Sequence, residues 1–150
     1  MFQENQFLKK IEKNMKHILL VIPIVLLFLS CRTHRETIYQ PTPVQVFFGN
    51  YGGFTNLRTE YVLNNDGNIF KIEKDGVNYI KTLKKKNVKE ITEMLDNNSF
   101  EKLEHNIPGN FSYFIKVISP EYSNEVTWSE PAPNESIKEI YKTLMKTVKQ

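Results

Sequence analysis

Cys31 is the only cysteine in a chain of 150 residues, and His17, His34 and His105 are its only histidines. With the carboxylates and hydroxyls, these are the groups from which nucleophilic, acid–base or metal chemistry would have to be assembled. One cysteine permits no internal disulfide, no paired-thiol redox motif and no multi-thiolate metal site. No His-x-x-x-His, no Asp-rich calcium loop and no Gly-x-Ser-x-Gly occurs. The chemistry open to Cys31 is that of its sulfur as an acceptor, and its surroundings say what it would accept.

Lys9, Lys10, Lys13, Lys16 and His17 precede Ile18 to Leu29, an unbroken apolar run of twelve residues. About 20 apolar residues are needed for a helix to cross a bilayer, so the run is short for a span. A basic segment followed by a short apolar one has the form of a secretory leader. The run ends at Leu29-Ser30-Cys31, a small residue directly before a cysteine, with Phe28 where leucine or valine is more usual. That arrangement predicts cleavage before Cys31 and transfer of a diacylglycerol to its sulfur, with acylation of the new amine. Several acyl chains anchor stably where one binds only marginally. Met15 is a second candidate start, and either start yields the same mature chain.

Within the remaining chain, His105 lies in the polar stretch Glu101-Lys102-Leu103-Glu104-His105-Asn106. An acid–base pair with Glu101 or Glu104 is the one enzymatic arrangement available, and a solvated loop explains the same residues. Asp66 and Asp75, with Glu73 beside them, read as turn residues rather than an acidic site. Lys84-Lys85-Lys86, with Lys81 and Lys89, reads as the solvated start of a helix in preference to a contact for anionic lipid in a tethered protein. We therefore expect no catalytic residue, no metal and no cofactor.

The segment Tyr51-Gly52-Gly53-Phe54-Thr55-Asn56 sets two glycines between two aromatics. The glycines permit a tight turn, and the aromatics either plug a sheet edge or serve as anchors for a partner. This loop is the candidate partner-binding site.

The elements that would position it follow from periodicity. Val44 to Phe48, Arg58 to Leu63, Ile69 to Glu73 and a weaker Val77 to Leu83 read as strands. Asn64-Asn65-Asp66-Gly67-Asn68 reads as a hairpin turn between the second and third. Lys86 to Asn97 carries an apolar stripe at Val88, Ile91 and Met94 or Leu95, the spacing of a helix. Phe111, Tyr113, Ile115 and Val117 alternate along the clearest strand, and Glu125 to Trp128 is its partner. Asn134 is suited to cap a final helix from Glu135 to Lys149, with Ile137, Ile140, Tyr141, Leu144 and Val148 on one face. The order β-β-β-(β)-α-β-β-α predicts an α+β fold. In it an antiparallel sheet of four to five strands is covered on one face by two helices. The other face would be partly wet, with Tyr61, Tyr79 and Trp128 as aromatics placed there. The expected organisation is a leader over 1–30, a lipidated cysteine and polar tether over 31–43, and a single domain over 44–150.

From Cys31 onward the chain holds 16 Lys and Arg against 15 Asp and Glu, a net charge of +1, whereas the full chain carries +3. A basic excess residing largely in the leader argues against a nucleic-acid partner.

Gly52-Gly53-Phe54-Thr55, the stretch Asn110 to Val117 and the final amphipathic stripe resemble the emfourin family, small inhibitors of thermolysin-like metallopeptidases. The likeness spans residues 44 to 148. Asn56 stands where that family has a glycine, and the Asp66-Gly67 hairpin and a strand are added. The Tyr-Gly-Gly-Phe-Thr stretch, the Asp-Gly hairpin and the leader also resemble small uncharacterised lipoproteins common in Bacteroidota. With the leader and Cys31 predicting a lipoprotein, Arg32 rather than Asp after Cys31, and no clear acidic export tag beyond it, fit placement in the cell envelope on the outer membrane, facing the periplasm. The lipoprotein's partner would be membrane lipid through acylated (palmitate-bearing) Cys31, together with an envelope or secreted protein. Inhibition of a metallopeptidase, or a purely structural role, is the alternative.

Overall fold

The computed structural model describes residues 37–149. Cys31, His17, His34 and the apolar run Ile18 to Leu29 lie outside the described residues.

Over these residues the chain forms a mixed α+β fold, with one sheet and two helices. The strands are β1 (Gln45–Gly52), β2 (Leu57–Asn64), β3 (Asn68–Glu73), β4 (Gly76–Thr82), β5 (Asn106–Ile107), β6 (Phe111–Ile118) and β7 (Ser123–Trp128). The helices are α1 (Lys85–Asn97) and α2 (Glu135–Val148), with a single 3₁₀ turn at Phe100–Lys102. In space the strands run β4-β3-β2-β1-β6-β7-β5. Every neighbouring pair is antiparallel except β5 with β7.

The sheet has seven strands, more than the four to five expected. β4 is a full strand of seven residues. β5 has two, too few for alternation to appear in a sequence. It comes into being because the backbone on either side docks on β7. The N–H of Thr127 donates to the His105 carbonyl at 2.9 Å, and that of Ser129 to the Ile107 carbonyl at 3.2 Å.

Hairpin chemistry sets the registers. Gly67 takes φ +91, as the Asp-Gly turn requires. Asp66 holds the turn by accepting from the Asn68 backbone N–H at 3.0 Å and from its side-chain amide at 2.8 Å.

Alternate residues of the strands then form two faces. Val46 and Phe48 of β1, Leu63 of β2, Ile69 of β3, Ile115 and Val117 of β6, and Val126 and Trp128 of β7 form one of them. They pack with Ile91 and Leu95 of α1 and Ile137, Ile140 and Leu144 of α2 in the main core. Phe100, from the 3₁₀ turn, closes it. Asn134 caps α2 as its residue type predicts, its side-chain oxygen accepting from the Ile137 N–H at 2.8 Å.

Two of the three aromatics expected on the wet face are on the covered one. Trp128 is buried and stacked on Tyr113 at 5.7 Å, and Tyr61 is stacked on Phe48 at 5.5 Å. Alternation shows which residues share a face; it leaves open which face the helices take. Only Tyr79 stands on the second face, edge-on to Phe70 at 5.8 Å.

That second face is not bare. Val62, Phe70 and Phe114 are buried there. The ring of Tyr39 stands edge-on to Phe70 at 5.2 Å, and the Gln40 carbonyl accepts from the Asn64 side chain at 2.9 Å. At the far end of the same face the Arg58 guanidinium lies 4.5 Å from the centre of the Phe114 ring.

Candidate functional site

The β1–β2 hairpin ends in the Tyr51–Asn56 loop, and the structure divides its residues between two tasks. Tyr51 is half-buried on the second face, its ring 6.2 Å from that of Phe114 and under the Arg58 guanidinium at 5.4 Å. Its ring packs at the end of the sheet while part of it stays exposed. Gly52 and Gly53 adopt φ +96 and +71, a region that side-chain-bearing residues rarely occupy. A Cβ on Gly52 would overlap the Asn110 carbonyl oxygen. The same carbonyl accepts from the Gly53 N–H at 2.6 Å, tying the loop to the segment that leads into β6. Asn56, at φ +49, closes the turn by donating its N–H to the Gly53 carbonyl at 3.2 Å.

Phe54 does the opposite of its neighbours. Its relative exposure is 107%, so the ring projects from a turn that is itself pinned. Thr55 is exposed beside it. Leu57 and Phe111 both pair with Gly52 across the strands, and they are 68% and 42% exposed. Three large apolar side chains therefore stand in water at one end of one sheet. The sequence nominated Phe54. Leu57 and Phe111 escaped notice because each alternates correctly for the core face, and only the reach of the helices decides that this row is left uncovered.

Next to this row, between α2 and the sheet, lies a cleft of about 400 Å³ lined by Asn50, Tyr113, Tyr141, Lys142, Met145, Lys146 and Lys149. The Asn50 side-chain amide donates to the Tyr141 hydroxyl at 3.5 Å. Burial pushes the Tyr141 hydroxyl above its ordinary pKa, against the smaller opposing effect of the Asn50 hydrogen bond. The phenol is therefore neutral at physiological pH. Lys142 is paired with Glu139 at 2.7 Å, which raises the lysine and lowers the carboxyl through their hydrogen bond. A second cleft of about 330 Å³ separates α1 from α2, lined by residues that include Lys81, Leu83, Ile91 and Lys146.

The remaining candidates are dispersed. His105 is half-buried on the approach to β5 and lines neither cleft. Glu101 pairs with Lys102 at 3.4 Å. Glu73 pairs with Lys71 at 2.6 Å and accepts from Asn78 at 2.6 Å, apart from the turn that Asp66 makes. Lys84, Lys85 and Lys86 are exposed at the start of α1. Among the described residues no group of three His, Cys, Asp or Glu side chains could hold a metal ion. Nor is any described helix long and apolar enough to cross a membrane.

No protein-family model matches the chain, and no curated protein matches it.

Proposed function

We propose that the chain is a lipid-anchored, non-enzymatic binding module of the cell envelope, docking a protein partner through the Phe54 end of its sheet. The anchor would be acyl chains on Cys31, on an outer membrane and facing the periplasm. The observation that carries the docking half is the full exposure of Phe54 on a pinned turn, with Leu57 and Phe111 exposed alongside. A rigid aromatic loses little conformational freedom on binding, and such residues dominate interface energies. Exposed apolar groups gathered in one place mark interaction surfaces, whereas scattered ones mean little.

The test has two arms. Metabolic labelling with a palmitate analogue is expected to mark the chain and to be lost in Cys31→Ala; label retained in that variant sinks the anchor. Crosslinking in the host, read by mass spectrometry, is expected to capture an envelope or secreted protein with the wild type and not with Phe54→Ala. Equal capture by both sinks the docking surface. Tyr51 is left intact because its ring supports Phe114.

Inhibition of a thermolysin-like metallopeptidase is the second reading. It is favoured by the Gly-Gly-Phe turn being both exposed and held by the Gly53–Asn110 hydrogen bond, since a loop that enters a protease cleft must resist deformation. Titration against secreted metallopeptidases tests it, and no slowing at micromolar concentration removes it.

A further inference from the structure

We propose that the cleft beside α2 recognises an acidic peptide segment bearing a large apolar side chain. This deepens the docking reading, on which it rests, by naming the partner's chemistry. Lys142, Met145 and Lys146 recur at three and four along α2 and so form one stripe, and Lys149, just past the helix end, completes the wall of the cleft. Lysines in the last turns of a helix suit its dipole wherever they point. What sets these apart is that they border an aromatic floor, Tyr113 and Tyr141, and that among the described residues no carboxylate lines the cleft. Lys142 is partly neutralised by Glu139. Among the described residues Lys146 and Lys149 make no ion pair, although Lys146 also lies near enough to Glu139 to lower its carboxyl pKa and lines the second cleft with Glu90.

The floor continues out of the cleft. Tyr113 pairs with Asn50, and two residues further along the same strands Phe111 pairs with Gly52. The Phe111 ring stands edge-on to Tyr113 at 5.2 Å. Leu57 occupies the same row on β2. A single extended segment can therefore lay carboxylates against α2 and an apolar side chain against Phe111 and Leu57. Charge complementarity selects the acidic segment, and the apolar row supplies contact area that a free anion would not use.

The test is fluorescence anisotropy on the full lipidated chain in phosphatidylcholine nanodiscs. The probes are short labelled peptides of glutamate and phenylalanine, with glutamine/phenylalanine and lysine/phenylalanine counterparts. The glutamate peptide is expected to bind best, and added salt to weaken it. Lys146→Gln/Lys149→Gln is expected to weaken it about fivefold, which is about 1 kcal/mol for the two exposed pairs together. Equal binding of the glutamate and glutamine peptides, an unaffected lysine variant, or no binding of any peptide overturns the proposal. Displacement by glycerol phosphate, the soluble headgroup of an anionic lipid, at lower concentration than by unlabelled peptide overturns it in favour of a membrane surface. If charge selection fails while Phe54→Ala still abolishes capture in cells, the cleft alone is at fault and the docking reading stands. If the peptide binds as expected but capture is indifferent to Phe54, the reverse holds.

Discussion

Replacing Gly52 with alanine tests whether the candidate loop is held as described. Two costs add. At φ +96 a Cβ strains the backbone, for roughly 1–3 kcal/mol. The new methyl also overlaps a backbone carbonyl rather than a flexible side chain, so Asn110 must withdraw. That withdrawal loses the Gly53 N–H to Asn110 hydrogen bond, about 1 kcal/mol. The sum is roughly 2–4 kcal/mol, a large share of the stability of a domain of this size. Gly76→Ala is the internal control. Its φ of +151 imposes strain, but nothing lies within 4 Å of the added methyl, so the steric cost is absent. Trp128 is the single tryptophan and is buried in the core, which makes its fluorescence a direct report of unfolding in urea. The expected result is a midpoint for Gly52→Ala well below that of Gly76→Ala, with both below wild type and unchanged slopes. Equal midpoints for the two variants would refute the account, because they would mean that the Asn110 segment yields at no cost.

Phe54→Ala is expected to leave the unfolding free energy from urea titration within about 0.5 kcal/mol of wild type, as an exposed side chain should; a larger loss would show that the ring packs against the fold. Phe70→Ala, on the face opposite the helices, is expected to cost about 3–5 kcal/mol, since its ring is buried under Tyr39. A loss below about 1 kcal/mol in the same titration would mean that Tyr39 does not cover it. Asn134→Ala should cost about 1 kcal/mol through loss of the α2 cap, with Asn134→Asp restoring most of it. The Tyr141 hydroxyl is raised by burial, so folding holds its proton more tightly than the unfolded chain does. Its contribution is fully present below the ordinary tyrosine pKa of about 10 and is lost as pH rises above that value. Alkaline urea titrations should therefore show a steeper decline for wild type than for Tyr141→Phe, and parallel declines would remove Tyr141 as a source.

Much of this architecture was legible because local chemistry and periodicity agree. The Asp66-Gly67 turn, the Asn134 cap and the alternation of Phe111, Tyr113, Ile115 and Val117 each identify an element without help from its neighbours. β5 was illegible, because two residues have no period and are made a strand by β7. The placement of Trp128 and Tyr61 failed for a different reason. Face assignment needs the helix positions, which lie far away in sequence. Arg58 gave no sign that its guanidinium would sit over Phe114, since Glu60, its ion-pair partner at 2.7 Å, explains it equally well. The cleft lysines were hidden by a sufficient local reason for their presence, the dipole of α2. The glycine pair was visible from composition, but its carbonyl partner, Asn110, is distant in the chain.

The two borders of the sheet are unlike. Along β7 the backbone is occupied by the segment from Phe100 to Ile107. The Asn124 side chain donates to the Phe100 and Leu103 carbonyls, and β5 completes the seam. Along β4 seven residues stand at the border with nothing beyond them among the described residues, Val77 and Tyr79 exposed on its surface. An unpaired border is a template for another strand. A molecule with one such border can satisfy it once, against the same border of a second copy, and the assembly then closes on its two-fold axis. Growth into a fibre needs a border on both sides. Among the described residues, then, two copies can meet through β4, while the far border offers only the two residues of β5.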